Sequence, residues 1–377
     1  MSRFVIACGG TGGHLSPGIA LAEGLMDAGH ACRLVISEKA VDARQIEKYQ
    51  HLDYTAMPGC GFSFRPVQLV KFNLLQTCAL FKALKLLLVY RPDAVIGFGG
   101  FVTVSVVFAA FILRLPIVLH EANRKPGKTI RLFSGLARRL YLPPGVRLKG
   151  VSSTVLRHCG LPLRKEIGES DKFAVRKHFP FNPHQKILLV LGGSQGAQVL
   201  NEWVVEHFET LAAEHINVYC LTGIAAEKRE PLEYRNSAGQ VVRAIFEPFS
   251  DNVSELLSMA DLVVSRAGAG SIAEFIRCRI PAILIPYPHA ADDHQLANAR
   301  FHECQGGGVL VPESALDQLL DEVLELIYND WLLMRLKRNL RRIDSRDAVQ
   351  FMVKDLESMV PAKENQTQQI IASEKQS

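Results

Sequence analysis

Phe4-Val-Ile-Ala-Cys8 runs straight into Gly9-Gly-Thr-Gly-Gly13, and Ile187-Leu-Leu-Val-Leu191 runs in the same way into Gly192-Gly-Ser-Gln-Gly196. In both places an uninterrupted apolar run meets a glycine turn, and a helical pattern follows, over 16–28 and 197–213. An apolar run of this length predicts a strand covered on both faces, as in a parallel sheet. The glycines let backbone N–H groups approach an anion closely, and a helix N-terminus adds a favourable dipole. The echo therefore predicts an α/β fold: two Rossmann-like parallel-sheet domains facing an interdomain cleft, with a border near Gly160-Leu-Pro-Leu-Arg164.

Strand-like runs at 32–37, 93–98, 116–120, 217–221, 261–265 and 281–285 alternate with helical patterns such as 68–90 and 269–278. That alternation is the signature of helices winding a parallel sheet. The expected division is 1–160, 161–343 and a C-terminal helix over 344–360 packing back on the N-terminal domain. The stretch 361–377 has no apolar period and is expected to be disordered.

A chain of 377 residues is long enough for two cores. With 48% hydrophobic and 21% charged residues it has the balance of a globular protein, not of a fibrous or disordered one. Eight scattered cysteines without a CxxC pair argue against structural zinc and against a disulfide framework, so reduced thiols and a cytoplasmic setting are expected. The net charge of +5 divides unevenly: residues 1–160 carry +12 and residues 161–377 carry −7. A basic half predicts that one face meets something anionic.

The run 94–113 is free of charge over twenty residues, but Gly97, Gly99 and Gly100 break it. A strand, a glycine loop and a buried helix are expected there instead of a membrane span. The helix expected over 68–90 is apolar on most sides, with Lys71, Lys82 and Lys85 in one sector. Such a segment fits a lipid interface, and a core helix with one solvated stripe fits the same pattern.

Gly9-Gly-Thr-Gly-Gly-His14 lacks the spacing of the dinucleotide fingerprint, although Glu38 stands where a ribose-binding acid would in a dehydrogenase. Gly127-Lys-Thr129 imitates a P-loop, but Ala122 replaces its first glycine and Pro126 stiffens the loop. Ser265-Arg-Ala-Gly-Ala-Gly-Ser-Ile-Ala-Glu274 joins helix-start amides, the Ser271 hydroxyl and the fixed charge of Arg266, a set suited to a diphosphate. Glu274, one turn into the helix, can accept from both hydroxyls of a ribose, or can serve as an acid favoured by the helix dipole.

Taken in order, GGTGGHLSP (9–17), GFGGF (97–101), HEAN (120–123), GLPLR (160–164), GGSQGA (192–197), SRAGAGSIAE (265–274) and DDHQLANA (292–299) resemble the MurG family of peptidoglycan glycosyltransferases, over about residues 10–355. The resemblance implies the GT-B fold and transfer of N-acetylglucosamine from UDP-GlcNAc to lipid I. It implies no metal and no cofactor, a peripheral place on the cytoplasmic face of the bacterial inner membrane, an anionic membrane surface as partner, and no nucleic acid.

By the same resemblance Ser194 and Ala269, Gly270, Ser271, Ile272 and Ala273 would hold the UDP phosphates, Glu274 the ribose and the backbone at Ser250 the uracil. Asn123, His294 and Gln295 would address the sugar, with Arg164 and Thr11, Gly12 and Gly13 nearby. Gly9, Gly10, Gly97, Gly99 and Gly100 would form the acceptor diphosphate loops. The acceptor side departs more from the family pattern than the donor side: Ala122 stands for glutamine, Ile130 for asparagine, Leu161 for the asparagine of a GNP linker, and Phe101-Val-Thr-Val-Ser105 for a further Gly and Pro.

The expected reaction is a single displacement that inverts the anomeric carbon. His14 is the candidate base, and Arg266 with Ser194 and the helix-start amides would stabilise the departing UDP. Alternatives are a related enzyme acting on another glycolipid, a P-loop NTPase using Lys128, and a sugar-nucleotide sensor without turnover.

Overall fold

The computed structural model describes residues 1–10, 12–59, 66–193, 196–235, 239–344 and 346–360, with the backbone alone over 66–71. Thr11, Ser194 and the tail 361–377 lie outside the described residues, as does the side chain of Lys71. The chain divides into two compact units. The first comprises 1–122, 126–162 and the chain from 346, and the second comprises 123–125 and 163–345. Thus the crossing lies two residues beyond the expected border, and the short piece Asn123–Lys125 goes with the second unit.

The first unit runs β1 (Arg3–Ala7), α1 (Gly12–Asp27), β2 (Ala31–Ser37), α2 (Ala40–Ile46), β3 (Tyr54–Met57), α3 (Pro66–Tyr90), β4 (Ala94–Gly97), α4 (Gly100–Ile112), β5 (Ile117–His120), α5 (Lys128–Phe133), β6 (Arg139–Leu142) and β7 (Leu156–His158). Its seven strands are all parallel, in the order β3-β2-β1-β4-β5-β6-β7. The strands β1, β4 and β5 are buried almost throughout, as their apolar runs require. One face of the sheet packs beneath α1 and the other beneath α3, α4 and α5.

The second unit contains α6 (Lys172–Arg176), β8 (Lys186–Leu191), α7 (Gln198–Ala213), β9 (Ile216–Leu221), β10 (Leu232–Arg235), β11 (Val241–Glu247), α8 (Val253–Met259), β12 (Leu262–Ser265), α9 (Ala269–Arg277), β13 (Ala282–Leu284), α10 (His294–Cys304), β14 (Gly308–Leu310), α11 (Leu319–Ile327) and α12 (Asp330–Ile343). Its sheet order is β10-β11-β9-β8-β12-β13-β14. Its strands are parallel except at one edge, where β10 joins antiparallel to β11. The polar sequence Leu-Glu-Tyr-Arg of β10 suits an edge open to solvent, and a hairpin needs no crossover helix.

The last helix, α13 (Ala348–Met359), returns to the first unit. Met352 and Leu356 lie in the core formed with α1, and Asp355 accepts from the Tyr141 hydroxyl at 2.7 Å while pairing with Arg139 and Arg157.

Open parallel sheets bind ligands where the strand order reverses, because adjacent loops there diverge to opposite faces. In the first unit the reversal falls between β1 and β4, and in the second between β8 and β12. The four loops that leave those strands are the glycine segments singled out in the sequence.

Candidate active site

In the first unit the turn after β1 is pressed hard against β2. A Cβ on Gly9 would lie 2.2 Å from the Ser37 amide nitrogen, so only glycine fits. Gly10 follows with φ +118 and donates its N–H to the buried Asp42 carboxylate at 2.8 Å. The same oxygen accepts from Ser37 N at 3.0 Å and from Ser37 Oγ at 2.6 Å. Asp42 was not foreseen from the sequence. Its presence changes the role of Gly10, whose N–H is committed within the protein and shapes the loop instead of facing an anion.

His14 stands in the first turn of α1, half-buried. Its ring lies 3.2 Å from where a Cβ on either Gly99 or Gly100 would stand, so the two glycine loops meet across this imidazole. Gly99 and Gly100 have φ +100 and +77, and the Thr103 hydroxyl donates to Gly99 O at 2.6 Å, which fixes the turn. Phe101 lies 3.0 Å from the Cβ position of Gly10 and beneath the Lys39 ammonium. Ile130, in place of asparagine, is buried in the core under α4.

His120 opens the HEAN segment but is enclosed by the Phe98 ring at 5.1 Å. Burial pushes its pKa down to about 4, and Nε2 donates to Gly160 O at 3.3 Å, so this imidazole is neutral and structural. Glu121 accepts from Gly127 N at 2.6 Å. That bond places a carboxylate where a P-loop would need a free amide for phosphate, which removes the NTPase alternative. Glu38, the dehydrogenase signal, pairs with Lys82 at 3.5 Å on the surface.

In the second unit Gly192 repeats the constraint at Gly9: a Cβ there would meet the Ala197 amide nitrogen at 2.3 Å. The start of α9 has no side-chain cap, and its entry residue Gly268 is extended, so the amides of the first turn are left without intrahelical partners. Space is open at Gly270, whose Cβ position has nothing within 4 Å. Glu274 lies one turn further, 3.9 Å from Arg164, which also pairs with Glu166 at 3.2 Å. Burial raises the Glu274 carboxyl from its ordinary value to about 7, and Arg164 only partly offsets this.

Gln295 accepts from Ala267 N at 3.2 Å and from Tyr287 N at 3.0 Å, tying the loop after β12 to the loop after β13. His294 Nδ1 lies 2.7 Å from Ala291 O and so donates to it. Asn298, a further residue that sequence reasoning passed over, binds Arg124 N at 2.9 Å, Asn123 Oδ1 at 3.1 Å and Ala267 O at 3.2 Å. It ties Asn123 to the loop after β12. Arg266 is buried and pairs with Glu313 at 2.5 Å, so its charge is already half-answered within the protein. Ser250 is half-buried, and its Oγ accepts from Asn252 N at 3.1 Å.

On α3 the buried positions are Ala79, Ala83 and Leu87, whereas Leu74, Phe81, Leu88 and Val89 face solvent, Phe81 at 67% and Val89 at 75% exposure. Phe108, Phe111 and Ile112 of α4 are exposed as well. Lys82 and Lys85 of α3 are exposed too. A core helix with one polar stripe would hide its large side chains, and this one shows them. Among the described residues Phe72–Tyr90 is the one helix long and apolar enough to cross a membrane by length and composition.

Residues 4–142 match the N-terminal domain of glycosyltransferase family 28, and residues 187–350 match the C-terminal domain of that family. The chain is 52% identical, over 95% of each chain, to the UDP-N-acetylglucosamine–N-acetylmuramyl-(pentapeptide) pyrophosphoryl-undecaprenol N-acetylglucosamine transferase of Opitutus terrae. It belongs to glycosyltransferase family 28. A family relative of the same description from Protochlamydia amoebophila is 34% identical, over 86% of this chain and 87% of that one. Among solved structures, Acinetobacter baumannii MurG superposes with a TM-score of 0.69 at 22% identity, covering 94% of this chain and 99% of that one. The glycotransferase of kitacinnamycin gives 0.70 at 17%, over 96% and 99%. These two likenesses show the GT-B fold. The two halves of the family-28 match fall on the two sheets, each with its glycine loops at the point where the strand order reverses.

Proposed function

We propose that this glycosyltransferase moves N-acetylglucosamine from UDP-GlcNAc to the C4 hydroxyl of MurNAc in undecaprenyl-pyrophosphoryl-MurNAc-pentapeptide, inverting the anomeric carbon and producing lipid II. The observation that carries this reading is the 52% identity to the Opitutus transferase over nearly the whole of both chains.

The second unit receives the donor. The uncapped first turn of α9, with Ala269, Gly270, Ser271, Ile272 and Ala273, faces the UDP phosphates, which an amide-rich helix start favours. Ser194 joins them from the loop after β8. Glu274 accepts from the ribose hydroxyls, the backbone at Ser250 meets the uracil, and Asn123, Arg164, His294 and Gln295 address the sugar. Because Gln295 Oε1 is committed to two backbone amides, its NH₂ remains to donate to a sugar oxygen.

The first unit receives the acceptor. A sugar hydroxyl is a weak nucleophile, and His14, poised between the glycine loops, takes its proton as the new glycosidic bond forms. Gly9, Gly97, Gly99 and Gly100 surround the lipid-linked diphosphate, with Gly12 and Gly13 near the sugar. The leaving UDP gains charge, which the α9 amides and Arg266 stabilise, with Glu313 holding that guanidinium in place. The exposed apolar side chains of α3 and α4, with Lys82 and Lys85, rest on the anionic inner leaflet and keep the enzyme beside a substrate whose lipid stays in the bilayer.

Transfer of labelled N-acetylglucosamine by the purified protein to a lipid I analogue, and not to a diacylglycerol, tests the reading. UDP-GlcNAc binding without turnover would overturn it in favour of a sensor.

A further inference from the structure

The second unit belongs to the half of the chain with net charge −7, yet one of its helices is strongly basic on its outer side. Leu333, Leu336 and Leu340 of α12 are buried, which fixes the opposite side of the helix outward. That outward side carries Trp331, Met334, Arg335, Arg338, Arg341 and Arg342, all exposed. Trp331 is 65% and Met334 61% open to solvent. From Trp331 to Arg342 the face is about 16 Å long.

The neighbouring charges leave this face positive. Asp330, the acid at the start of the helix, pairs with Lys186 at 3.1 Å. Among the described residues none of Arg335, Arg338, Arg341 and Arg342 has a carboxylate at ion-pair distance, while Arg277 on a different helix takes Asp344. Arg335 lies over the Trp331 ring, 5.5 Å from its centre. A merely solvated stripe accounts for the arginines but not for a tryptophan and a methionine displayed among them.

We propose that the outward face of α12 is a second lipid-contacting surface, which lies on an anionic bilayer with Trp331 at the level of the headgroups. Indole is favoured at the boundary between water and hydrocarbon, and clustered basic side chains are drawn to anionic lipid. The leucines on the buried side keep the helix docked in the core of its own unit, so the contact is made by the folded unit and not by a helix that peels away. The proposal rests on the reading that the protein works at a membrane surface, but it concerns a different helix from α3 and fails separately.

The chain has two tryptophans, and the other, Trp203, is buried. Emission therefore reports on α12 directly. The full-length protein titrated with phosphatidylglycerol vesicles is expected to show a blue shift, quenching by lipids brominated in the acyl chain, and reversal by salt, and Trp331→Phe is expected to abolish all three. Arg335→Glu, Arg338→Glu and Arg342→Glu combined should lower vesicle affinity roughly tenfold or more. An unshifted Trp331 in protein that sediments with the vesicles would overturn the proposal while leaving α3 as the anchor. An equal shift on phosphatidylcholine, or a shift with an oligonucleotide and none with vesicles, would overturn it too. Failure of the α3 reading has another signature: vesicle binding unchanged by Lys82→Glu with Lys85→Glu.

Discussion

Glu274 stands 3.9 Å from the Arg164 guanidinium, and even so its carboxyl is held up to about 7, because burial outweighs the neighbouring charge. In the proposed ribose contact the ionised carboxylate is the stronger acceptor of both hydroxyls, so that contact depends on a group poised to titrate near neutral pH. Donor affinity is expected to fall as pH drops through about 7. Isothermal titration with UDP from pH 6 to 8 checks this, and Glu274→Gln should bind more weakly and without that pH dependence.

The same carboxyl has a consequence for stability. Its folded value lies above its ordinary 4.5, so between about 4.5 and 7 the unfolded chain gives up the proton before the folded one does. The contribution is present below 4.5 and is lost as pH rises through 7, by on the order of 3 kcal/mol at 1.4 kcal/mol per unit. Glu274→Gln is therefore expected to melt higher than wild type at pH 8 and to match it near pH 4. A mutant that melts lower at pH 8 would contradict this balance.

Removing the imidazole of His14 is expected to slow transfer by ~10²–10⁴-fold with donor affinity almost unchanged. Single-turnover rates at saturating acceptor, set beside UDP titrations, separate the two quantities. Wild-type turnover in His14→Ala would exclude the residue as base, and a collapse of donor binding would give it a structural role.

Asp42 closes the first glycine loop through three hydrogen bonds to one oxygen. Bonds to a charged acceptor are worth roughly 1.5–3 kcal/mol each, and removal leaves buried donors unsatisfied. Asp42→Ala is expected to destabilise the first unit by a few kcal/mol and to raise KM for the acceptor, while UDP affinity of the folded protein holds. Denaturant melts and acceptor kinetics check the two halves of the statement.

Vesicle binding carried by α3 should weaken with salt and fall steeply in Lys82→Glu with Lys85→Glu, since each reversal turns attraction to anionic lipid into repulsion. Transfer to a water-soluble acceptor should survive in the same protein. Equal sedimentation of mutant and wild type would return α3 to a role within the fold.

Much of this architecture was legible from local pattern. The apolar runs of β1, β4, β5, β8 and β12 announce themselves because parallel strands buried on both faces have no polar positions to interrupt them. The strands β3, β6, β7, β11 and β14 did not, nor did β10, which carries charge because it is an edge. The glycine loops were legible because backbone crowding at Gly9 and Gly192 tolerates no side chain. What stayed hidden were the partners: Asp42 under Gly10, Glu313 against Arg266, Asn298 beside Asn123. Each is distant along the chain from the group it holds, and spacing within a motif carries no information about such pairs. The outward turn of α3 was hidden for a related reason, since periodicity gives a helix two faces without saying which one the sheet will cover.

The return of α13 to the first unit sets the order in which the molecule can be finished. Met352 and Leu356 complete the core beneath α1, and Asp355 ties down Arg139, Tyr141 and Arg157. During synthesis the residues up to 162 leave the ribosome first, but they wait with an open hydrophobic face until α13 has been made. The second unit, contiguous from 163 to 345 apart from its three-residue outpost, can close first. The first unit is thus the last to mature, and a message cut short before α13 yields a protein whose first unit lacks part of its core.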